Sequence, residues 1–336
     1  MTNIAPDADL YLGTFDRPES FERAVAWCVA RSVDLVLAPV AAHGVVPGAR
    51  SLVTEAVRTA TRAEIPVVAP TGNAALGHWT RPVARSSLRE TGRLDRRIQI
   101  SPLADGDQAG SRFVGWLTHD GPPELSLRLA LYERTDRGTR NLLALSEAVG
   151  GGRGDRLVAR LTGGDNWLEI LIPSGLASDF GRPGIRVEVT TPTHRLAPAH
   201  PAGSVAFPAA MPAVIAVGAL DVDARDGGTG AAPYSGRGPT ADGQTGVDVV
   251  ARPAPWDGPR GAGTSAAAAR TAGIVALAAQ YLTTTPARVA RVLRETASDV
   301  GRKGRDSATG YGRIDADAVV QRARARSREE GKSGSG

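Results

Sequence analysis

The sequence predicts an α/β parallel sheet flanked by helices, with an antiparallel β-sandwich inserted into it. Three observations lead there. Over the first eighty residues, apolar runs alternate with stretches of helical spacing. From about Arg81 to Ala202 the hydrophobic period changes to two. The earlier pattern then resumes at Val214-Ile215-Ala216-Val217-Gly218.

In chain order, Asp9 to Phe15 is an apolar run ended by Asp16 and Pro18, and reads as a strand. Phe21, Val25, Cys28 and Val29 recur at helical spacing between Ser20 and Ser32. Val33 to Val40 is almost continuously apolar, as expected for a strand covered on both faces. A helix is predicted over Ser51 to Ala63 and a third buried strand over Ile65 to Ala69. Strand–helix–strand order requires right-handed crossovers and a parallel sheet.

In the middle region Leu125, Leu127, Leu129 and Leu131 alternate with polar or small residues. The same holds for Leu168, Ile170 and Ile172, and for Ile185, Val187 and Val189. Gly- and Asp-rich turns such as Gly150 to Asp155 separate these runs, which suits a small sandwich. The expected organisation is an α/β domain over 1–80 and 203–320, an insert over 81–202 and a disordered tail over 321–336.

Composition narrows the function classes. With 42% hydrophobic and 22% charged residues in 336, the chain buries a sizeable core. No apolar stretch is long enough to span a membrane, and the first ten residues lack the features of a signal peptide. The single cysteine, Cys28, excludes a disulfide framework and a cysteine-built zinc site. The net charge of +5 is interleaved with Asp and Glu, and aromatics are only 4%, so no nucleic-acid partner is expected.

Gly261 to Gly273, GAGTSAAAARTAG, carries the chemistry. Small residues around Ser265 allow a close turn into a helix, whose first N–H groups can hold an oxyanion. A serine there also serves as a plain N-cap, and the segment alone does not separate the two roles.

Other segments resolve that choice by resemblance. Phe207 to Asp221 (FPAAMPAVIAVGALD), Ala232 to Ala251 (APYSGRGPTADGQTGVDVVA) and Gly310 to Ala316 (GYGRIDA) resemble, in order, stretches of the subtilisin-like serine proteases. Gly263-Thr264-Ser265 through Gly273 resembles the nucleophile segment of that family. Ala5 to Tyr11, Ala24 to Cys28 and Val67 to Asn73 (VVAPTGN) resemble its earlier strand, helix and strand end. The resemblance implies a subtilisin-like sheet lacking its early strands. It implies Ser265 as nucleophile, Asn73 in the oxyanion hole, and Val40, Ala41 and Gly72 lining the substrate cleft.

The family's catalytic Asp and His precede the strand that here begins near Met1, so neither is expected within this chain. A serine hydroxyl is a weak nucleophile without a base in reach. Three readings follow. An upstream or separate polypeptide supplies Asp and His to a serine endopeptidase; the chain is an inactive pseudoprotease that binds a peptide or protein; or His43 or His78 is a rebuilt base. His119, His194 and His200 fall in or beside the insert and read as structural or exposed.

Pro39, in the strand end that lines the family's cleft, removes one donor to an extended substrate. Calcium enters only as a family expectation, with no ligand cluster visible; no cofactor and no metal are expected. The insert resembles the modules that accompany secreted proteases and reads as a cleft-shaping element, a partner site or a spacer. Export would require a signal peptide upstream of Met1; without one the chain is expected to be cytoplasmic. Gly150-Gly151-Gly152 is not a phosphate loop, since no Gly-Lys-Ser/Thr follows.

Overall fold

The computed structural model describes residues 1, 3–45, 51–84, 92–103, 109–135, 137–149, 153–172, 184–222, 230–240, 243–244, 246–253 and 263–333. The expected turn at Gly150 to Gly152, the first two residues of GAGTS and the last three of the chain lie outside the described residues. The chain divides into two compact units. The first comprises Met1–Ala42, Arg50–Asn73 and Val205–Gly336; the second comprises His43–Ala49 and Ala74–Ser204.

The first unit is built on a parallel sheet of order β1 (Val36–Leu37), β2 (Val67–Pro70), β13 (Val214–Ala219), β14 (Val249–Ala251). Alternate residues of these strands serve two different layers. Val67, Ala69, Val214 and Ala216 pack with Phe21 and Val25 of α1 (Pro18–Val29) and with Ala56, Val57 and Ala60 of α2 (Leu52–Arg62). Val68, Ile215, Val217 and Val249 pack with α3 (Thr264–Ala278), α4 (Pro286–Thr296) and α5 (Ala316–Ser333). A strand buried on both faces needs apolar residues at every position, which is why β13 reads VIAVGA.

Local chemistry sets the helix ends. Ser51 caps α2, its hydroxyl accepting from Thr54 N–H at 3.2 Å while Thr54 Oγ1 accepts from Ser51 N–H at 3.0 Å. Pro18 and Pro286 occupy first-turn positions, where a missing N–H costs nothing. The alanine run of α3 is strongly helix-forming and small enough to bring the helix axis close to the sheet; Ala267, Ala268 and Ala272 are wholly buried.

The second unit has two five-stranded antiparallel sheets. One runs β12 (His194–Ala197), β4 (Gly92–Pro102), β10 (Asn166–Ile172), β6 (Arg128–Arg134), β7 (Arg140–Leu145). The other runs β3 (His78–Ala84), β11 (Gly184–Thr190), β5 (Arg112–His119), β9 (Gly154–Arg160), β8 (Glu147–Ala148). The alternating leucines, isoleucines and valines of the sequence pattern form one buried cluster here, with Trp79, Phe113 and Leu157.

Three expectations need correction. Asp9 to Phe15 is not a strand. It runs along α1 instead, with Tyr11 against Trp27 and Phe15 against Phe21 at ring-centroid distances of 5.9 and 5.1 Å. A strand requires a hydrogen-bonding neighbour, and among the described residues β1 pairs only with β2. The Val33–Val40 run yields only the two-residue edge strand β1, because it meets Asp34 at one end and Pro39 at the other. Finally, 321–333 is helical rather than a disordered tail. Val319 and Ala323 of α5 are buried, and Arg322 and Arg326 both reach Glu295 of α4, at 2.9 and 3.0 Å.

Candidate functional site

The residues that follow β1 and β2 meet the start of α3 in the first unit, at the carboxyl ends of parallel strands, where open sheets usually place their ligands. Thr71 N–H donates to Val217 C=O at 3.0 Å, so the chain leaving β2 is still held to β13. Gly72 C=O then accepts from Gly236 N–H at 2.9 Å, which fixes the approach to Asn73.

Thr264, the first residue of α3, binds this segment twice. Its N–H and its hydroxyl both donate to Asn73 Oδ1, at 3.0 and 2.9 Å. Its hydroxyl oxygen accepts from Gly72 N–H at 3.1 Å. With Oδ1 held from two directions, the amide has one orientation, and Nδ2 remains as a donor on an exposed side chain. Gly263 lies directly under that amide: a Cβ at this position would sit 3.1 Å from Asn73 Nδ2. A side chain there would crowd the amide, which would have to give by a few tenths of an ångström.

Ser265 follows at the second helical position and is exposed. Its hydroxyl donates to Pro39 C=O at 3.4 Å, a long and weak contact. Among the described residues no imidazole or carboxylate hydrogen-bonds this hydroxyl. Of the residues expected to line a cleft, Ala41 backs onto Gly72 together with Ala206, while Val40 N–H turns in to Ala38 C=O at 2.7 Å. The neighbouring Ala42 pairs antiparallel with Phe207.

Ser265, Asn73, Gly72, Val40 and Ala41 thus fall in one compact unit, whereas His43 and His78 belong to the other. Both histidines are held near a pKa of about 4. For His78 the cause is first its burial, partly offset by its hydrogen bond to the backbone of His200, with Arg186 and His200 adding repulsion. For His43 the cause is burial and then His78. His78 Nδ1 lies 2.5 Å from His200 C=O, which makes that nitrogen the protonated one and leaves Nε2 as a buried acceptor without a partner among the described residues. The His43 ring packs on Trp116, with centroids 5.2 Å apart.

His119 and His194 are buried inside the second unit, and His200 accepts from Thr80 N–H at 3.1 Å. No three described His, Cys, Asp or Glu side chains gather as cation ligands, so no calcium role is derived for them. Nor is any helix among the described residues long and apolar enough to cross a membrane.

Thr264 is the residue that motif reading passed over. Its position between the glycine and the serine of GTS was the available signal, but only the fold reveals that its partner is Asn73, 191 residues earlier.

Residues 198–312, about a third of the chain, match the family described as the subtilase family. The matched stretch carries β13, β14, α3 and α4. A parallel sheet flanked by helices is the architecture that the motif resemblance implied.

Similar solved structures include a lanthipeptide protease, 13% identical over 96% of this chain and 72% of that one, with a TM-score of 0.46. The prenylagaramide maturation protease PagA is 12% identical over 94% of this chain and 70% of its own, with a TM-score of 0.44. Fervidolysin from Fervidobacterium pennivorans, described as a keratinolytic enzyme related to subtilisin, is 30% identical over 34% of this chain and 20% of its own, with a TM-score of 0.28. At these TM-scores the assignment rests on the sequence match over 198–312. No curated protein matches the chain.

Proposed function

We propose that this chain carries the nucleophile and oxyanion half of a serine endopeptidase, with Ser265 attacking a peptide carbonyl. Asn73 Nδ2 and a backbone N–H at the start of α3 would receive the oxyanion. The observation that supports this reading is the double hold of Thr264 on Asn73 Oδ1, which leaves Nδ2 as a fixed donor against Gly263, at the start of the helix that carries Ser265. Preorganised donors of this kind stabilise the charge that develops in acyl transfer, and losing one typically costs about 10²–10³ in turnover.

The reaction also needs a base to take the Ser265 proton and return it to the leaving amine. His43 and His78 suit that task poorly: a pKa of about 4 makes a weak base at neutral pH. The reading therefore assigns the general base and its orienting carboxylate to an upstream or separate polypeptide, with a peptide or protein as substrate.

The test is casein hydrolysis by the 336-residue chain alone and by the chain expressed with the coding sequence that flanks Met1. Alone, turnover should stay near the level left when a triad base is lost, about 10⁶ below a complete enzyme. Supplying the base should raise it steeply, and Ser265→Ala should abolish the gain. Efficient hydrolysis by the chain alone that vanishes in His78→Ala would overturn this reading in favour of an internal base.

A further inference from the structure

A second cavity of the first unit is lined by cations. The stretch from Asp299 to Gly310 is pinned at several points. Gly304 N–H donates to Asp299 Oδ2 at 2.8 Å, Thr309 Oγ1 to Val300 C=O at 3.0 Å, and Asp306 and Gly310 pair through both backbone bonds at 3.0 Å. Gly238 N–H donates to Ser307 C=O at 2.8 Å, which ties this loop to the segment carrying Arg237. Between them lies a cavity of about 440 Å³, lined by Arg237, Arg302, Arg305 and Asp306 among others.

Among the described residues, the lining of this cavity carries three arginines and one carboxylate. Asp306 is the one described carboxylate lining it, and its oxygens are turned into its own loop. Oδ1 accepts from Ala308 N–H and Thr309 N–H at 2.6 and 2.9 Å, and Oδ2 accepts from Thr309 Oγ1 at 2.7 Å. Neither Arg302 nor Arg305 has an ion pair among the described residues; the Arg305 guanidinium lies over Tyr311, 4.8 Å from the ring centroid. Lys303 between them is exposed and adds to the positive field.

We propose that this cavity binds a phosphate-type polyanion, held by Arg302 and Arg305. Two guanidinium groups lining one cavity offer more donors than a single carboxylate can accept. A phosphoryl group, with three terminal oxygens, can take a paired contact from each. No aromatic side chain lines the cavity among the described residues, so it offers no stacking surface for a nucleobase, and the recognised part is the phosphate itself. The site shares no residue with Ser265, Thr264 or Asn73, so it stands or falls apart from the proteolytic reading.

Calorimetric titration of the full chain with tripolyphosphate, inorganic phosphate and citrate at low ionic strength tests it. Saturable binding is expected, tightest for tripolyphosphate, weaker at higher salt and unchanged in Ser265→Ala. Replacing both exposed arginines (Arg302→Gln with Arg305→Gln) should weaken it at least about tenfold without moving the melting temperature; the single Arg302→Gln variant should fall between. Absence of saturable binding, equal binding by the double variant, or citrate binding as tight as tripolyphosphate would each overturn the proposal.

Discussion

Thr264 joins the two residues that motif comparison singles out, and its own contribution is separable from theirs. Thr264→Val keeps the shape and the backbone N–H but removes the hydroxyl that donates to Asn73 and accepts from Gly72. In the base-supplied enzyme this should lower kcat about tenfold, with KM little changed, because the lost orientation matters most once the oxyanion forms. Thr264→Ser should restore most of the rate. A KM effect with unchanged kcat would assign Thr264 to substrate binding instead. Gly263→Ala acts from the other side, pushing a methyl group against Asn73 Nδ2, and should reduce kcat comparably.

His78 provides the pH dependence at this scale. It folds as a buried neutral imidazole with its pKa lowered to about 4, whereas the unfolded chain titrates it near 6.5. Stability is therefore complete above about pH 6.5. As pH falls from there toward 4, the unfolded state takes up a proton that the folded state refuses, and stability declines. His200, Arg186 and His43 surround it, and none supplies a negative charge that would reverse the sign. The loss should amount to something on the order of 2–4 kcal/mol, read by denaturant melts between pH 7 and pH 4. In His78→Gln that slope should flatten; an unchanged slope would assign the dependence to other groups.

At the scale of elements, buried strands and the sandwich were legible because burial leaves a direct trace in spacing. Leu125 to Leu131 alternate since one face meets the opposite sheet, and β13 is continuous since both faces meet helices. What depends on a partner distant in sequence was not legible. Asp9 to Phe15 has strand-like composition, but its neighbour proved to be α1. The arginine-rich end of α5 looks like a tail until Glu295 of α4 is brought against it. The candidate site divides in the same way: short motifs single out Ser265 and Asn73, whereas the Thr264 link between their segments required the fold.

The GYG motif shows a local pattern with a nonlocal cause. Gly310 has φ +64°, and a Cβ there would fall on the backbone of Val247 and Asp248, so Gly310→Ala should destabilise the first unit by more than about 2 kcal/mol. The exposed segment gives the opposite expectation. Leu12 is 82% exposed, beside half-exposed Leu10, Tyr11 and Phe15. Leu12→Asp should leave the thermal midpoint almost unchanged and reduce self-association measured by light scattering. A fall of several degrees would show that Leu12 is packed.

For the whole molecule, two compact units divide the labour of the sequence. The first carries most of the matched segment together with Ser265, Thr264 and Asn73; the second is a β-sandwich with its own closed core. The proposed nucleophile and donors can be tested without a base in the chain at mildly alkaline pH, where the buffer takes the serine proton as an adduct forms. A peptide boronic acid offers this, because the serine oxygen bonds to trigonal boron, its proton passes to the buffer, and one boron-bound hydroxyl of the resulting tetrahedral anion takes the oxyanion position. Boron NMR of the purified chain with such a peptide is therefore the most direct measurement. The account predicts a tetrahedral signal that disappears in Ser265→Ala and weakens in Asn73→Ala. A boron signal that stays trigonal, or a tetrahedral one that survives Ser265→Ala, would contradict it.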